Sequence, residues 1–351
     1  MSIKERKEEL IMKAIGFSEH LDIKNPKNLF EFETPKPTPK GHDLLVKVNA
    51  VSVNPVDVGV RRSGHGKLSK PKIIGWDACG IVEEVGSKVS LFSPGDRVYY
   101  AGSFKRPGSN SEYQLVDERI VGNAPKSLTD TQAAAMPLTS LTAYEALFEQ
   151  LSLSQDKKSN EGKTILIING AGGVGSVATQ LASNAGLTVI ATASRPESIN
   201  WVKSHGAADV VNHRKNLVNE VHKLGYKYVD YILELKDIDS HWKEMCELIK
   251  PEGAIVSITE NRRPINLRLL TSKKAIFAWE WMYTKSYYHT PDMQSQHEIL
   301  NKIATLIDNS ELQCTLTQSL SPINANNLRK AHSLVENGHM IGKVVVADWQ
   351  K

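Results

Sequence analysis

Residues 164–182 read TILIINGAGGVGSVATQLA, and this stretch decides the fold. Ile165-Leu166-Ile167-Ile168 is a short, β-branched apolar run flanked by polar residues, which suits a central parallel strand. Gly170, Gly172 and Gly175 then fall on G-x-G-x-x-G, and Val174, Ala178, Leu181 and Ala182 follow at helical spacing. A bare G-x-G-x-x-G specifies little, but here a strand precedes it and a helix follows, the context a dinucleotide site requires. The first glycine permits a tight turn and the second a close approach of backbone to pyrophosphate. The third lets helix and strand pack, with the helix N-terminus facing the negative charge. Gly170, Gly172, Gly173, Val174 and Gly175 are therefore assigned to a cofactor.

Downstream, strands expected at 187–192, 209–211, 228–233, 254–258 and 275–282 alternate with helices at 197–205, 217–224 and 240–249. That alternation implies parallel βαβ units and an α/β, doubly wound sheet. Upstream, residues 12–137 read as mostly β, with a first strand near Met12–Phe17. ETPKPTPKGHD (33–43) reads as an irregular proline-rich connection. Thr129 or Asp130 is a plausible cap for a helix that continues, interrupted at Pro137, through Leu141–Leu151. In the tail, a helix over 293–306, a strand-like segment over 314–320 and a helix over 323–337 precede a strand at Lys343–Ala347. That last strand is too far from the βαβ series to continue it and is expected to return to the first domain. The domains are thus 1–137, 138–287 and a returning 288–351.

The 351 residues favour about two domains, and 40% hydrophobic with 23% charged residues is ordinary for a soluble globular chain. A formal net charge of +4 gives no reason to invoke nucleic acid or a membrane surface. Cys79, Cys246 and Cys314 are sparse, odd in number and without C-x-x-C, which fits a reducing, cytoplasmic setting. No apolar run approaches the ~20 residues of a membrane helix. Residues 1–11 read either as a short amphipathic extension or as a frayed charged end.

Several ordered stretches carry a more specific likeness. They are Val53-Asn54-Pro55-Val56-Asp57, Gly75-Trp76-Asp77, Gly95-Asp96-Arg97-Val98, Ala134–Thr139 with Leu141–Glu145, the glycine turn, and Gly342-Lys343-Val344-Val345. With them the chain resembles, over residues 12–349, the zinc-free, quinone-oxidoreductase-like branch of the medium-chain dehydrogenase/reductase superfamily. It is most like the bacterial zinc-type alcohol dehydrogenase-like group. The resemblance implies a GroES-like β-domain, a Rossmann domain and an active site in the cleft between them. It also implies hydride transfer between NAD(P)H and a carbonyl, quinone or activated alkene, with a small-molecule electrophile as partner. Relatives pair edge strands of the Rossmann sheet, so a homodimer is expected.

Zinc-dependent relatives place a cysteine and a Gly-His-Glu around the cleft. Here Asn54 and Gly75-Trp76-Asp77 stand there, and residues 101–125 hold no cysteine for a structural zinc lobe. Zinc needs about four N, S or O ligands. Cys79, Asp77 and a histidine remain an in-principle cluster, but Cys79 reads as a small core residue and His42 and His65 as surface residues. No metal site is assigned.

The second strand of the βαβ series ends Thr192-Ala193-Ser194-Arg195, without the acid that binds a ribose 2′-hydroxyl. Ser194 and Arg195 suit a 2′-phosphate, and hence NADPH over NADH. Alternatively Arg195 is a solvated loop residue and either cofactor is accepted. His213 closes the third strand, where similar reductases put an aromatic near the 2′-phosphate or adenine; it reads equally as a bystander.

The chemistry needs positioning and a polarising donor rather than a catalytic triad. Asn54 matches the family's cleft asparagine and is assigned to substrate orientation. Asp57 joins it or only caps a turn. Thr139 and Thr142 match the region against the nicotinamide, or only line a helix N-terminus with small residues. Ser257, Ile258 and Thr259 close the fifth strand at its C-terminal end, where ligands bind in such sheets. Lys343 either approaches the cofactor or, as read here, is a plain surface lysine. WEWMY (279–283) suits a strand at an interface or core, and Tyr287-Tyr288-His289 a border of the substrate site.

Overall fold

The structure, a computed structural model, describes residues 10–350. Residues 1–9 of the expected N-terminal extension lie outside the described residues. The chain divides into two compact units. One comprises residues 1–137, 285–304 and 318–351, the other 138–284 and 305–317.

The first unit is built on strands β1 (Ile11–Glu19), β2 (Phe30–Pro35), β3 (Asp43–Val53), β4 (Lys67–Ile73), β5 (Asp77–Val85), β6 (Arg97–Tyr100), β7 (Tyr113–Asp117) and β8 (Val121–Asn123). A three-stranded sheet runs β2-β1-β4. The irregular connection expected from Glu33 is corrected here, because Glu33, Thr34 and Pro35 pair with β1. Proline lacks an N–H, but β2 is an edge strand and Pro35 its last residue, where no donor is needed. Helix α1 (Pro55–Arg62) follows β3, and α2 (Asp130–Ala133) starts from Thr129, whose hydroxyl accepts the Gln132 N–H at 3.3 Å.

The second unit begins with α3 (Pro137–Tyr144), which passes into a wide turn over Glu145–Gln150. The regular helix expected to Leu151 is corrected accordingly. The Leu151 N–H bonds Ala146 O at 3.0 Å, five residues back. Strands β9 (Thr164–Ile168), β10 (Thr188–Thr192), β11 (Asp209–Val211), β12 (Val229–Glu234), β13 (Ile249–Ser257) and β14 (Ile276–Trp279) then alternate with α4 (Gly173–Asn184), α5 (Pro196–Ser204), α6 (Leu217–Lys223) and α7 (Ile238–Leu248). They make one sheet in the order β11-β10-β9-β12-β13-β14, parallel throughout. Every residue of β9 is buried, as a strand covered on both faces must be. One face carries a core of Leu166, Ile168, Ile190, Val221, Ile232, Trp242, Met245 and Ile255. Burying each such side chain contributes ~1.5–3 kcal/mol. Strand β14 is shorter than the expected 275–282: it spans Ile276–Trp279, the Glu280 N–H still bonds Ser257 O at 2.9 Å, and Trp281–Tyr283 lie beyond the strand.

Strand β15 (Leu316–Leu320) and strand β16 (Lys343–Ala347) join the first unit's large sheet, ordered β15-β16-β3-β5-β6-β8 with β7 on β3. β16 lies antiparallel to β3, with Val344 opposite Val53.

Candidate active site

In the second unit, strand order reverses beside β9, because β10 lies on one side and β12 on the other. A ligand crevice forms at the C-terminal ends of strands at such a point. The residues after β9, β10, β11 and β13 are those assigned to the cofactor from sequence: 170–175, 194–195, 213 and 258–259.

The turn after β9 is tightly anchored. Asn169 sits at φ 69°, a left-handed conformation that asparagine tolerates. Its N–H donates to Thr192 Oγ1 at 2.8 Å, and the Gly170 N–H to Thr192 O at 3.2 Å. A Cβ on Gly170 would lie 2.8 Å from Ala191 Cβ, and one on Gly175 2.7 Å from Gly170 Cα. These two glycines therefore set how closely turn, strand and helix approach. Helix α4 starts at Gly173 with Gly172 as N-cap, and no side chain caps it. No acidic residue occupies its first turn, and Gly172, Gly173 and Val174 stay partly exposed. The first N–H groups of a helix lack intrahelical acceptors. An uncapped, acid-free N-terminus at the switch point fits the pyrophosphate of a dinucleotide.

Ser194 and Arg195 are half-buried, and Arg195 is the N-cap of α5, its N–H donating to Ser198 Oγ at 3.1 Å. His213 is half-buried with Nδ1 lacking a partner. Burial, then the neighbouring His241, Arg214 and Lys236 side chains, push its pKa down, which keeps the ring neutral. Thr139 and Thr142 are buried on α3, and the Thr142 hydroxyl donates to Leu138 O at 2.8 Å within that helix.

Thr259 is held by a residue that sequence reasoning missed. Glu234, the last residue of β12, is fully buried. One carboxylate oxygen accepts the Lys236 and Asp237 N–H groups, both at 2.6 Å. The other accepts the Ser257 hydroxyl at 2.8 Å and the Thr259 hydroxyl. The Ile258 N–H bonds Glu234 O at 3.2 Å. One carboxylate thus ties together the loops leaving β12 and β13. The only signal in sequence was an acid ending an apolar strand.

In the first unit the adjacent strands β16, β3 and β5 bring together Lys343, Asn54 and Asp77. The expected surface lysine is corrected: Lys343 is 4% exposed, because β16 is covered inside the sheet rather than at its rim. Its ammonium donates to Asp77 Oδ2 at 2.9 Å and to Asn54 Oδ1. Asn54 Nδ2 donates to Asp77 Oδ2 at 2.8 Å. Asn54 itself is 1% exposed and is the N-cap of α1. Asp57, at the third helical position, accepts the Asn54 backbone N–H at 2.8 Å. Its carboxyl is pushed up to about 7, chiefly by burial, with the Asn54 N–H and Lys343 opposing and Asp77 adding to the rise. Asp57 thus does the capping that the sequence left open and stands beside the ion pair.

Trp76 is buried and stacks on Phe104 at 5.4 Å between ring centroids. Cys79 is buried in β5, and burial raises its thiol pKa, so it is an inert core group. Among the described residues, no group of three or more His, Cys, Asp or Glu is arranged to hold a metal ion. Nor is any helix among them long and apolar enough to cross a membrane.

Comparison with known proteins agrees with these geometries. A family model described as zinc-binding dehydrogenase matches residues 173–295, and one described as alcohol dehydrogenase GroES-like domain matches residues 40–126. A zinc-type alcohol dehydrogenase-like protein of Staphylococcus aureus is 45% identical over 336 residues, 95% of this chain and 99% of its own. A solved Rhizobium etli protein, designated a zinc-dependent alcohol dehydrogenase, is 47% identical with a TM-score of 0.92 over 97% of this chain and 99% of its own. The Escherichia coli quinone oxidoreductase, solved with NADPH, shares the fold at a TM-score of 0.79 and 23% identity, over 95% of this chain and 99% of its own. The chain belongs to the medium-chain dehydrogenase/reductase superfamily of oxidoreductases, in its quinone-oxidoreductase-like branch.

Proposed function

We propose that the protein is a zinc-independent, NADPH-dependent reductase of quinones or α,β-unsaturated carbonyls. The observation that carries this reading is the closed Asn54–Asp77–Lys343 cluster, which stands where zinc-dependent relatives carry a thiolate and an imidazole. Lys343 and Asp77 pair with each other and with the Asn54 amide, and Trp76 takes the imidazole position. A two-electron reduction of such electrophiles needs no Lewis acid to stabilise an alkoxide, only alignment and a donor for the developing oxyanion.

The reduced nicotinamide supplies the hydride. Gly172, Gly173, Val174 and Gly175 hold its pyrophosphate at the start of α4, and Ser194 with Arg195 receives the 2′-phosphate. His213, neutral and with an orphaned Nδ1, borders the adenosine end. Ile258 and Thr259, fixed by Glu234, and Thr139 and Thr142 flank the nicotinamide end. Asn54 orients the electrophile, with Asp57 supporting its backbone. NADPH should be consumed with naphthoquinone or crotonaldehyde at a rate that a chelator leaves unchanged. Inertness toward a broad panel of both classes rejects the proposal.

The names of the S. aureus and R. etli relatives favour a second reading, alcohol oxidation at zinc. Stoichiometric zinc in the purified protein would support it. We further infer a cytoplasmic homodimer. No disulfide joins the three cysteines, which suits a reducing compartment. The sheet also ends in an edge strand, β14, with Ile276 and Trp279 exposed.

A further inference from the structure

We propose that Lys343 and Asp77 are positioning residues that lock the Asn54 amide, so that the electrophile's carbonyl oxygen meets an N–H donor and not the amide carbonyl. This rests on the reductase reading above.

The oxygen and nitrogen of an asparagine side chain are nearly the same size, so only their partners fix which is which. Here two partners of opposite character do so. An ammonium has hydrogens and no lone pair, so the atom against Lys343 Nζ must be Oδ1. An ionised carboxylate only accepts, so the atom 2.8 Å from Asp77 Oδ2 must be Nδ2. The 2.9 Å Lys343–Asp77 ion pair closes the ring, and a flipped amide would break two charge-assisted bonds at once.

One Nδ2 hydrogen is committed to Asp77. The other has only the Ser52 carbonyl, at 3.5 Å, the outer limit of a hydrogen bond. An ammonium on Oδ1 also draws density from the amide and makes that second N–H a stronger donor. Hydride delivery to the electron-poor carbon displaces an electron pair onto the carbonyl oxygen, and water provides the proton that completes the reduction. Asn54 loses no proton; it donates a hydrogen bond to the oxygen as charge builds there.

The test is a kinetic cycle on the full-length protein with naphthoquinone and crotonaldehyde, using Asn54→Ala, the charge-neutral pair Lys343→Met/Asp77→Asn, the triple variant and Lys343→Arg. Thermal melts establish that each variant folds. Loss of one preorganised donor is expected to lower kcat about 100-fold in Asn54→Ala, with the KM for NADPH unchanged. Lys343→Met/Asp77→Asn should lose a comparable amount, the triple variant no more than Asn54→Ala, and Lys343→Arg should recover part of the loss. Losses that multiply in the triple variant assign Lys343 and Asp77 a role apart from Asn54 and overturn the proposal. So does full kcat in Asn54→Ala. A wild type inert with both electrophiles rejects the reductase reading itself, whereas an active wild type with an unaffected Asn54→Ala rejects only the amide.

Discussion

Asp57 pairs a structural duty with an electrostatic penalty. It caps α1 by accepting the Asn54 N–H, yet it is buried and its pKa rises to about 7. An unfolded aspartate titrates near ~3.9. Between these values the folded chain keeps a proton that the unfolded chain has released, so the contribution to stability falls as pH rises through that window and is level above it. This is the reverse of a salt-bridged carboxylate. Across the window, from about pH 4 to about pH 7, the decline amounts to ~1.4 kcal/mol for each pH unit crossed. Asp57→Asn should therefore flatten the fall of the melting temperature over that range. A variant that keeps the wild-type slope would show that another group causes it. Arg195 carries a different kind of prediction. If its guanidinium receives the 2′-phosphate, Arg195→Ala should raise the KM for NADPH by about tenfold, one charge-assisted pair, and leave that for NADH alone. Equal effects on both cofactors would make it an ordinary cap of α5.

The strand β9, its turn and α4 form the element whose packing depends most on single atoms. Gly175→Ala would press a methyl against Asn169 O and within 2.7 Å of Gly170 Cα, both backbone, so α4 must move off the sheet. The expected cost is about 1–3 kcal/mol, read by urea unfolding, with weakened NADPH binding. Gly172→Ala meets the Asn169 side-chain amide, which can rotate away, so it should cost less. Equal costs would mean that the helix has slack. This element was legible in sequence because periodicity and three glycines state its geometry locally. Lys343 was not. A lysine at the start of a strand reads as solvated until β16 is known to lie beside β3, with β5 next in the sheet, which brings Asn54 and Asp77 to it from 289 and 266 positions away in sequence. Glu33–Pro35 failed for the opposite reason. Proline argues against a strand locally, and only the edge position of β2 in its sheet removes the objection. Glu234 was hidden because its four partners lie at the end of β13 and on the loops after β12 and β13, which parallel pairing of the two strands brings together.

At the scale of the whole molecule the open question for the sheet of the second unit is its edge. β14 pairs with β13 on one side, and among the described residues no strand pairs with it on the other. Ile276 is 59% and Trp279 44% exposed, and Trp281, just beyond the strand, 40%. Unpaired backbone beside large apolar side chains is a liability that proteins blunt with charge, proline or a partner. No lysine, arginine, aspartate, glutamate or proline falls within Ile276–Trp279, so neither charge nor proline protects this four-residue edge. A second copy pairing β14 with β14 would extend the six-stranded sheet across two chains. Sedimentation equilibrium should then give twice the 38.9 kDa of one chain. Ile276→Lys, which places charge on that edge without touching the Asn54 cluster or the glycine turn, should shift the mass toward one chain. A wild type that sediments as one chain at micromolar concentration, or an Ile276→Lys dimer as tight as wild type, would remove β14 as the contact.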